Sequence, residues 1–177
     1  MLRGEKIELR ARNDADVAVL HKELYDDVAT RARADSRPWS PIPVDSPASP
    51  YRVGEPSVEK AFFSVVERAG GELAGEALLW GIDMHNRTAH VGISLRPGFR
   101  GRGLSTDVLL VLCRYGFGIR GLHRLQLETL ADNEPMIRAA SRAGFEHEGT
   151  LRGSAWVDGS FVDEVVFGLV NADSNRS

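Results

Sequence analysis

Ten residues, Arg96–Ser105, read "RPGFRGRGLS" and place three arginines and three glycines in one short stretch. Neither a helix nor a strand is comfortable there, because glycine weakens both and Pro97 cannot donate a backbone hydrogen bond. The stretch therefore breaks the chain between two regular elements. Before it, Thr88–Leu95 reads as a strand. After it, apolar residues at Val108, Leu109, Val111, Leu112, Tyr115 and Phe117 recur at helical spacing from Leu104 to about Gly118. A strand, a glycine-rich turn and a helix in that order form an anion-binding arrangement. The first amides of a helix lack intrahelical acceptors, and the helix dipole is positive at that end. Gly101 and Gly103 carry no Cβ to keep an anion away, while Arg100 and Arg102 add charge. A surface turn with glycine for geometry and arginine for solubility is the competing reading.

The flanking text narrows the fold. "EKIELRA" (Glu5–Ala11) alternates like a strand, and Asn13 and Asp14 can cap a helix running to about Ala29 with Val17, Leu20, Leu24 and Val28 on one face. Six of the eight prolines fall between Ser36 and Pro56, which predicts a long loop acting as a lid, binding wall or linker. Phe62–Arg68, Glu72–Ile82 and Thr88–Leu95 read as three strands of an antiparallel meander, with Gly70–Gly71 in the first turn. His123–Leu130 is a further strand. Asn133–Phe145 is a short helix stopped by Gly144, and Asp158–Gly159 marks a final hairpin. The expected fold class is α/β in the α+β sense, a mixed, mostly antiparallel sheet flanked by helices. Residues 1–177 are read as one domain, with a proline-rich loop at 36–56 and a frayed tail at 171–177.

Composition excludes several function classes. The 22 basic and 25 acidic residues leave a net charge of −3, which argues against a nucleic-acid partner. No long apolar run could span a bilayer, the N-terminus lacks a signal-peptide core, and Cys113 has no partner for a disulfide. A cytoplasmic protein is expected. The five histidines show no metal-ligand spacing, so no metal is expected. The turn is not a P-loop, since no GxxxxGK exists, and not a dinucleotide fingerprint, since Thr106 stands where the third glycine belongs.

The text Pro97–Asp107, "PGFRGRGLSTD", resembles the acetyl-CoA signature R/Q-x-x-G-x-G/A of the GNAT N-acetyltransferase superfamily, with Ser105 in place of the last small residue. Glu128–Gly149 is similar to that family's second half, and Leu151–Leu169 to the ending of its RimJ/RimL-like branch. The resemblance implies a sheet that splays open after its fourth strand to admit the pantetheine of acetyl-CoA. It further implies that Ile93 and Leu95 bond the pantetheine through their backbone. Arg100, Gly101, Arg102, Gly103, Leu104 and Ser105 hold the pyrophosphate, and Asn133 touches the pantetheine. The implied activity is acetyl transfer from acetyl-CoA to a primary amine, either a protein N-terminal α-amine or a small molecule, by direct attack in a ternary complex. Transfer of another acyl group such as succinyl, or a non-catalytic acyl-CoA-binding module, is the alternative, and a homodimer is left open.

The amine must lose a proton to attack the thioester. Glu128 matches the position of the general base proposed in RimI-like members, and Glu76 and His90 on neighbouring strands are rivals. No general acid is assignable. Ala140 replaces the tyrosine that many members carry, and Met136 replaces a serine common in the RimJ/RimL-like branch. Trp80 and Trp156 could line an acceptor pocket, but lying in strands they are read first as core or half-buried sheet residues. Trp39, near Arg31, Arg33 and Arg37, is either an acceptor wall or a loop staple. Asp163 is read as structural.

Overall fold

A computed structural model describes residues 1–35 and 37–172. Eight strands form one mixed sheet in the order β1-β2-β3-β4-β5-β6-β8-β7. They are β1 (Leu2–Arg3), β2 (Ile7–Arg10), β3 (Ala61–Glu67), β4 (Leu73–Asp83), β5 (Thr88–Leu95), β6 (Arg124–Leu130), β7 (Glu146–Val157) and β8 (Ser160–Val170). All neighbours run antiparallel except β5 and β6. A parallel pair needs a crossover, and α3 (Leu104–Arg114) supplies it. The α4 helix (Glu134–Arg142) joins β6 to β7. In the β7–β8 turn, Asp158 (φ 47°) and Gly159 (φ 83°) adopt the paired left-handed conformation of a tight hairpin.

The main core lies on the face covered by α3 and α4. It holds Ala77 and Leu79 of β4, Val91 and Leu95 of β5, and Leu125 and Leu127 of β6, packed with Val108, Leu109 and Leu112 of α3. Side chains alternate along a strand. Glu76 and Trp80 of β4, His90 of β5, and Gln126 and Glu128 of β6 therefore share the opposite face. Leu20, Leu24, Tyr25 and Tyr51 form a smaller core there.

The N-terminal helix differs from its expected course. Asn13 and Asp16 form a reciprocal capping box, but α1 (Asp14–Leu20) ends early and widens into a π-helical turn over His21–Tyr25. The Asp27 carboxylate then accepts from the Thr30 amide and starts a second helix, α2 (Val28–Ala34). The apolar stripe stops at Leu24, since Val28 is exposed. Over its described residues, 37–56, the proline-rich segment is a loop without strand or helix. His21 ties it down with contacts to Ser49 Oγ (3.1 Å) and the Ile42 carbonyl (3.0 Å), and Trp39 Nε1 donates to the Tyr25 carbonyl (3.0 Å). Most of the tail expected to fray, 173–177, lies outside the described residues.

Candidate active site

The sheet opens between its two parallel strands. Register pairs join Thr88–Arg124, Ala89–Leu125 and His90–Gln126, and none follows. Yet β5 stays paired with β4 as far as Leu95, and β6 with β8 as far as Leu130. Two strands held on their outer sides and released from each other make a V-shaped cleft. The Arg96 amide donates to the Ala74 carbonyl (2.9 Å), which fixes which way each peptide of β5 points. By alternation, Ser94 and Gly92 turn their backbone groups to β4, while Val91, Ile93 and Leu95 turn theirs into the cleft. The Leu95 carbonyl already accepts from Arg100 Nε (3.0 Å).

The glycine-rich turn closes one end of this cleft. Gly103 is the N-cap of α3 at φ 74° and makes no side-chain cap, so the first amides of α3 face outward unbonded by a cap residue. Gly101 has the same φ of 74°. Leu104 is buried and offers only its backbone. The helix end is anchored from behind. Asp107 accepts from the amides of Glu5 (3.1 Å), Lys6 (2.7 Å) and Ile7 (3.0 Å), which locks α3 to the start of β2. Arg102 pairs with Glu67 (3.1 Å), and both Arg96 and Arg102 lie over the Phe99 ring. Arg96 also grips Glu23 through two bonds (2.9 and 2.6 Å). The arginines thus brace the turn, which leaves its amides as its outward donors. Asn133 caps α4: its Oδ1 accepts from Met136 N (3.4 Å) and its Nδ2 donates to Thr129 Oγ1 (2.9 Å).

The three candidate proton acceptors share one sheet face but not one environment. Glu76 is buried and bonded to Arg12 (2.6 Å), whose side chain is 5% exposed. Burial pushes the Glu76 carboxyl up, and Arg12 pulls against it. Glu128 and His90 meet across the mouth of the cleft, with His90 Nδ1 3.3 Å from Glu128 Oε2 and their side chains 31% and 28% exposed. The hydrogen bond from His90 lowers the Glu128 carboxyl against the penalty of burial, and Gln126 Nε2, donating to Oε1 at 2.6 Å, lowers it further. Trp80 stacks on the imidazole at 4.2 Å and 22°. The sequence reading missed Gln126; Trp80, read as core or half-buried, is 44% exposed. Trp156 is more exposed still, at 60%, against Phe161. Trp80 is paired with His90 across β4 and β5, and Trp156 with Phe161 across β7 and β8. The pattern of alternation could have marked Gln126, since it lies two residues before Glu128.

Other candidates resolve into structure. Cys113 is buried and its thiol is pushed up to about 12 by burial. Asp163 accepts from the Gly153 amide (2.8 Å). The charges of Arg31, Arg33 and Arg37 near Trp39 are met by the carboxylates of Asp35, Asp132 and Asp35 respectively. Among the described residues, no three His, Cys, Asp or Glu side chains are grouped to hold a metal, and no helix is long and apolar enough to cross a membrane.

A family model described as an acetyltransferase (GNAT) domain matches residues 6–146. The chain belongs to the GNAT acetyltransferase family. Among curated GNAT relatives, the N-acetyltransferase p20 of Bacillus licheniformis, itself uncharacterized, is 27% identical over 111 residues, 63% of this chain and 62% of that protein. The chain spans between half and about three fifths of the first curated relatives it matches. Among solved structures, spermidine N-acetyltransferase from Vibrio cholerae, in complex with CoA and spermine, superposes with a TM-score of 0.82 at 22% identity, covering 93% of this chain and 95% of that one. Ribosomal-protein-S5-alanine acetyltransferase from Vibrio fischeri gives 0.78 at 18%, covering 97% and 96%. The mixed, splayed sheet expected from the sequence is therefore the GNAT fold.

Proposed function

We propose that this protein transfers the acetyl group of acetyl-CoA to a primary amine in a ternary complex. The observation that carries the reading is the cleft between β5 and β6, with the uncapped N-terminus of α3 at one end. The cleft presents the backbone of Ile93 and Leu95 to a pantetheine arm, and the amides from Gly101 to Ser105 suit a pyrophosphate. Arg100 and Arg102 hold the turn in shape. Asn133 supports the far lip through its cap on α4. At the mouth, the Glu128–His90 pair accepts the proton that the amine must lose. Glu76 is bound to Arg12 beside it and shapes the wall.

Two neighbours of the same fold support an amine acceptor, one described with spermine and the other acting on a ribosomal-protein alanine. The acceptor is accordingly either a small polyamine or a protein N-terminus. The test is an acceptor screen with spermidine, spermine and alanine-starting peptides, offered acetyl-CoA or succinyl-CoA and read by release of free CoA thiol and product mass. A product one acetyl group heavier supports the reading. Tight acetyl-CoA binding with no turnover on any amine would favour the acyl-CoA-binding module, to which the absent tyrosine at Ala140 points.

A further inference from the structure

We propose that the proton acceptor of the Glu128–His90 pair is His90 Nε2, and that Glu128, Gln126 and Trp80 are positioning residues that set its tautomer and ring plane. The proposal rests on the amine-transfer reading above and deepens it.

The geometry distributes the roles. Glu128 offers Oε2 to His90 Nδ1 at 3.3 Å and Oε1 to Gln126 Nε2 at 2.6 Å, so both carboxylate oxygens are engaged. An ionised carboxylate only accepts, so the hydrogen on the ring must sit on Nδ1. That leaves Nε2 with its lone pair free. Nε2 makes no hydrogen bond to the described residues, and the His90 side chain is 31% exposed. Trp80 stacked at 4.2 Å stops the ring from turning about its axis. The ring is close to the Gly81 backbone, where an added Cβ would come within 3.3 Å of His90 Cδ2. The charged groups around the pair are few. Glu128 faces His90 from β6, and Arg124 reaches Gln126 Oε1 at 3.2 Å while also pairing with Glu148 from β7. Arg124 therefore orients the Gln126 amide so that its NH2 faces Glu128. A chain of contacts runs from Arg124 through Gln126 and Glu128 to His90. It resembles in logic a carboxylate that orients a histidine base.

The reaction balances with this assignment. The ammonium acceptor gives one proton to His90 Nε2, directly or through a water. Its lone pair forms the N–C bond to the acetyl carbonyl carbon. The C–S bonding pair leaves with sulfur, and the second proton of the amine nitrogen ends on the CoA thiolate. His90 returns its proton to solvent.

Two readouts test it. The first needs no acceptor: long-range 1H–15N spectra of histidine-labelled protein, with His90 assigned by His90→Gln. The Nδ1–H tautomer is expected in the wild type and is expected to lose its dominance in Glu128→Leu. An Nε2–H tautomer in the wild type, or one indifferent to Glu128→Leu, overturns the assignment. The second is the pH–rate profile on the best amine of the screen. His90→Gln should lower kcat by ~100-fold or more and flatten the acid limb, whereas Glu128→Gln should cost about tenfold and move that limb to lower pH. Gln126→Leu and Trp80→Leu should cost a few-fold, about 3 to 5, in kcat with KM for the amine unchanged. Glu128→Gln costing more than His90→Gln would make Glu128 the acceptor. Failure to acetylate any amine would remove the functional reading alone, and the tautomer measurement would still judge the pair.

Discussion

Glu76 and Glu128 stand on the same face of one sheet, two strands apart, and have opposite fates. Glu76 is buried, with Arg12 held against it at 2.6 Å and that guanidinium over the Tyr51 ring of the proline-rich loop. Glu128 sits where β5 and β6 have separated, and shares its oxygens between His90 and Gln126. Both are strand glutamates, so local sequence does not distinguish them. What differs is the neighbour. Burial with a cation turns a carboxylate into part of the framework. A half-exposed carboxylate beside an imidazole is free to orient that imidazole for chemistry.

The comparison can be broken most forcefully at Glu76. Glu76→Gln should cost about 3–5 kcal/mol of stability by leaving the Arg12 guanidinium buried without a counter-charge, and Arg12→Met with Glu76→Leu should recover most of it. Urea denaturation measures both, and a Glu76→Gln protein as stable as wild type would erase the distinction. At the other end of the cleft, Gly103→Asp should weaken acetyl-CoA binding by roughly 100-fold, or about 2.7 kcal/mol. It places a carboxylate at the helix N-terminus and a side chain at φ 74°. Calorimetry on the folded variant decides, and unchanged affinity would remove the turn from the site.

Asp16 extends the framework side of the comparison. Burial opposes its ionisation, but bonds from both Arg10 nitrogens (2.6 and 2.7 Å), the Asn13 amide (3.0 Å) and Ser64 Oγ (2.7 Å) outweigh that and lower it to about 2. Because the folded value lies below the unfolded one, the contribution is present in full above about pH 4. It is lost as pH falls through about 2. The loss should amount to about 2 kcal/mol, and Asp16→Asn should lack this acid-dependent part of the unfolding curve. The smallest effect is expected at Glu128. Glu128→Gln should change stability by under about 1 kcal/mol, because its partner His90 is half-exposed and loses no buried counter-charge. A loss as large as that of Glu76→Gln would place Glu128 in the framework too.

Much of the fold was legible because its signals are local. Alternation, the Asp158–Gly159 turn and the Asn133-capped helix are written within a few residues of where they act. The break in the first helix was not, since Asp27 competes as a cap only once the π-helical turn has brought it clear of α1. The exposure of Trp80 and Trp156 was missed for a similar reason. An aromatic in a strand reads as core or half-buried unless one knows what packs against it at that point. Within the site, Glu128 and His90 were each visible as titratable strand residues. Their meeting depends on the register of a parallel pair whose strands are 38 positions apart in sequence at these residues.

The sequence alone determined the strand–turn–helix around Gly103, because glycine conformation and helix-end amides depend only on neighbours along the chain. It also determined the order of the main strands and helices from β2 onward, the break that creates α2 apart, and with it the GNAT pattern. Tertiary structure alone decided that β5 and β6 part after His90 and Gln126. It decided that Arg12 seals Glu76 and that Gln126, Glu128, His90 and Trp80 form one connected group. Those outcomes depend on which side chains are brought together from distant strands, and on how much water the packing leaves between them. Neither is encoded at a fixed spacing.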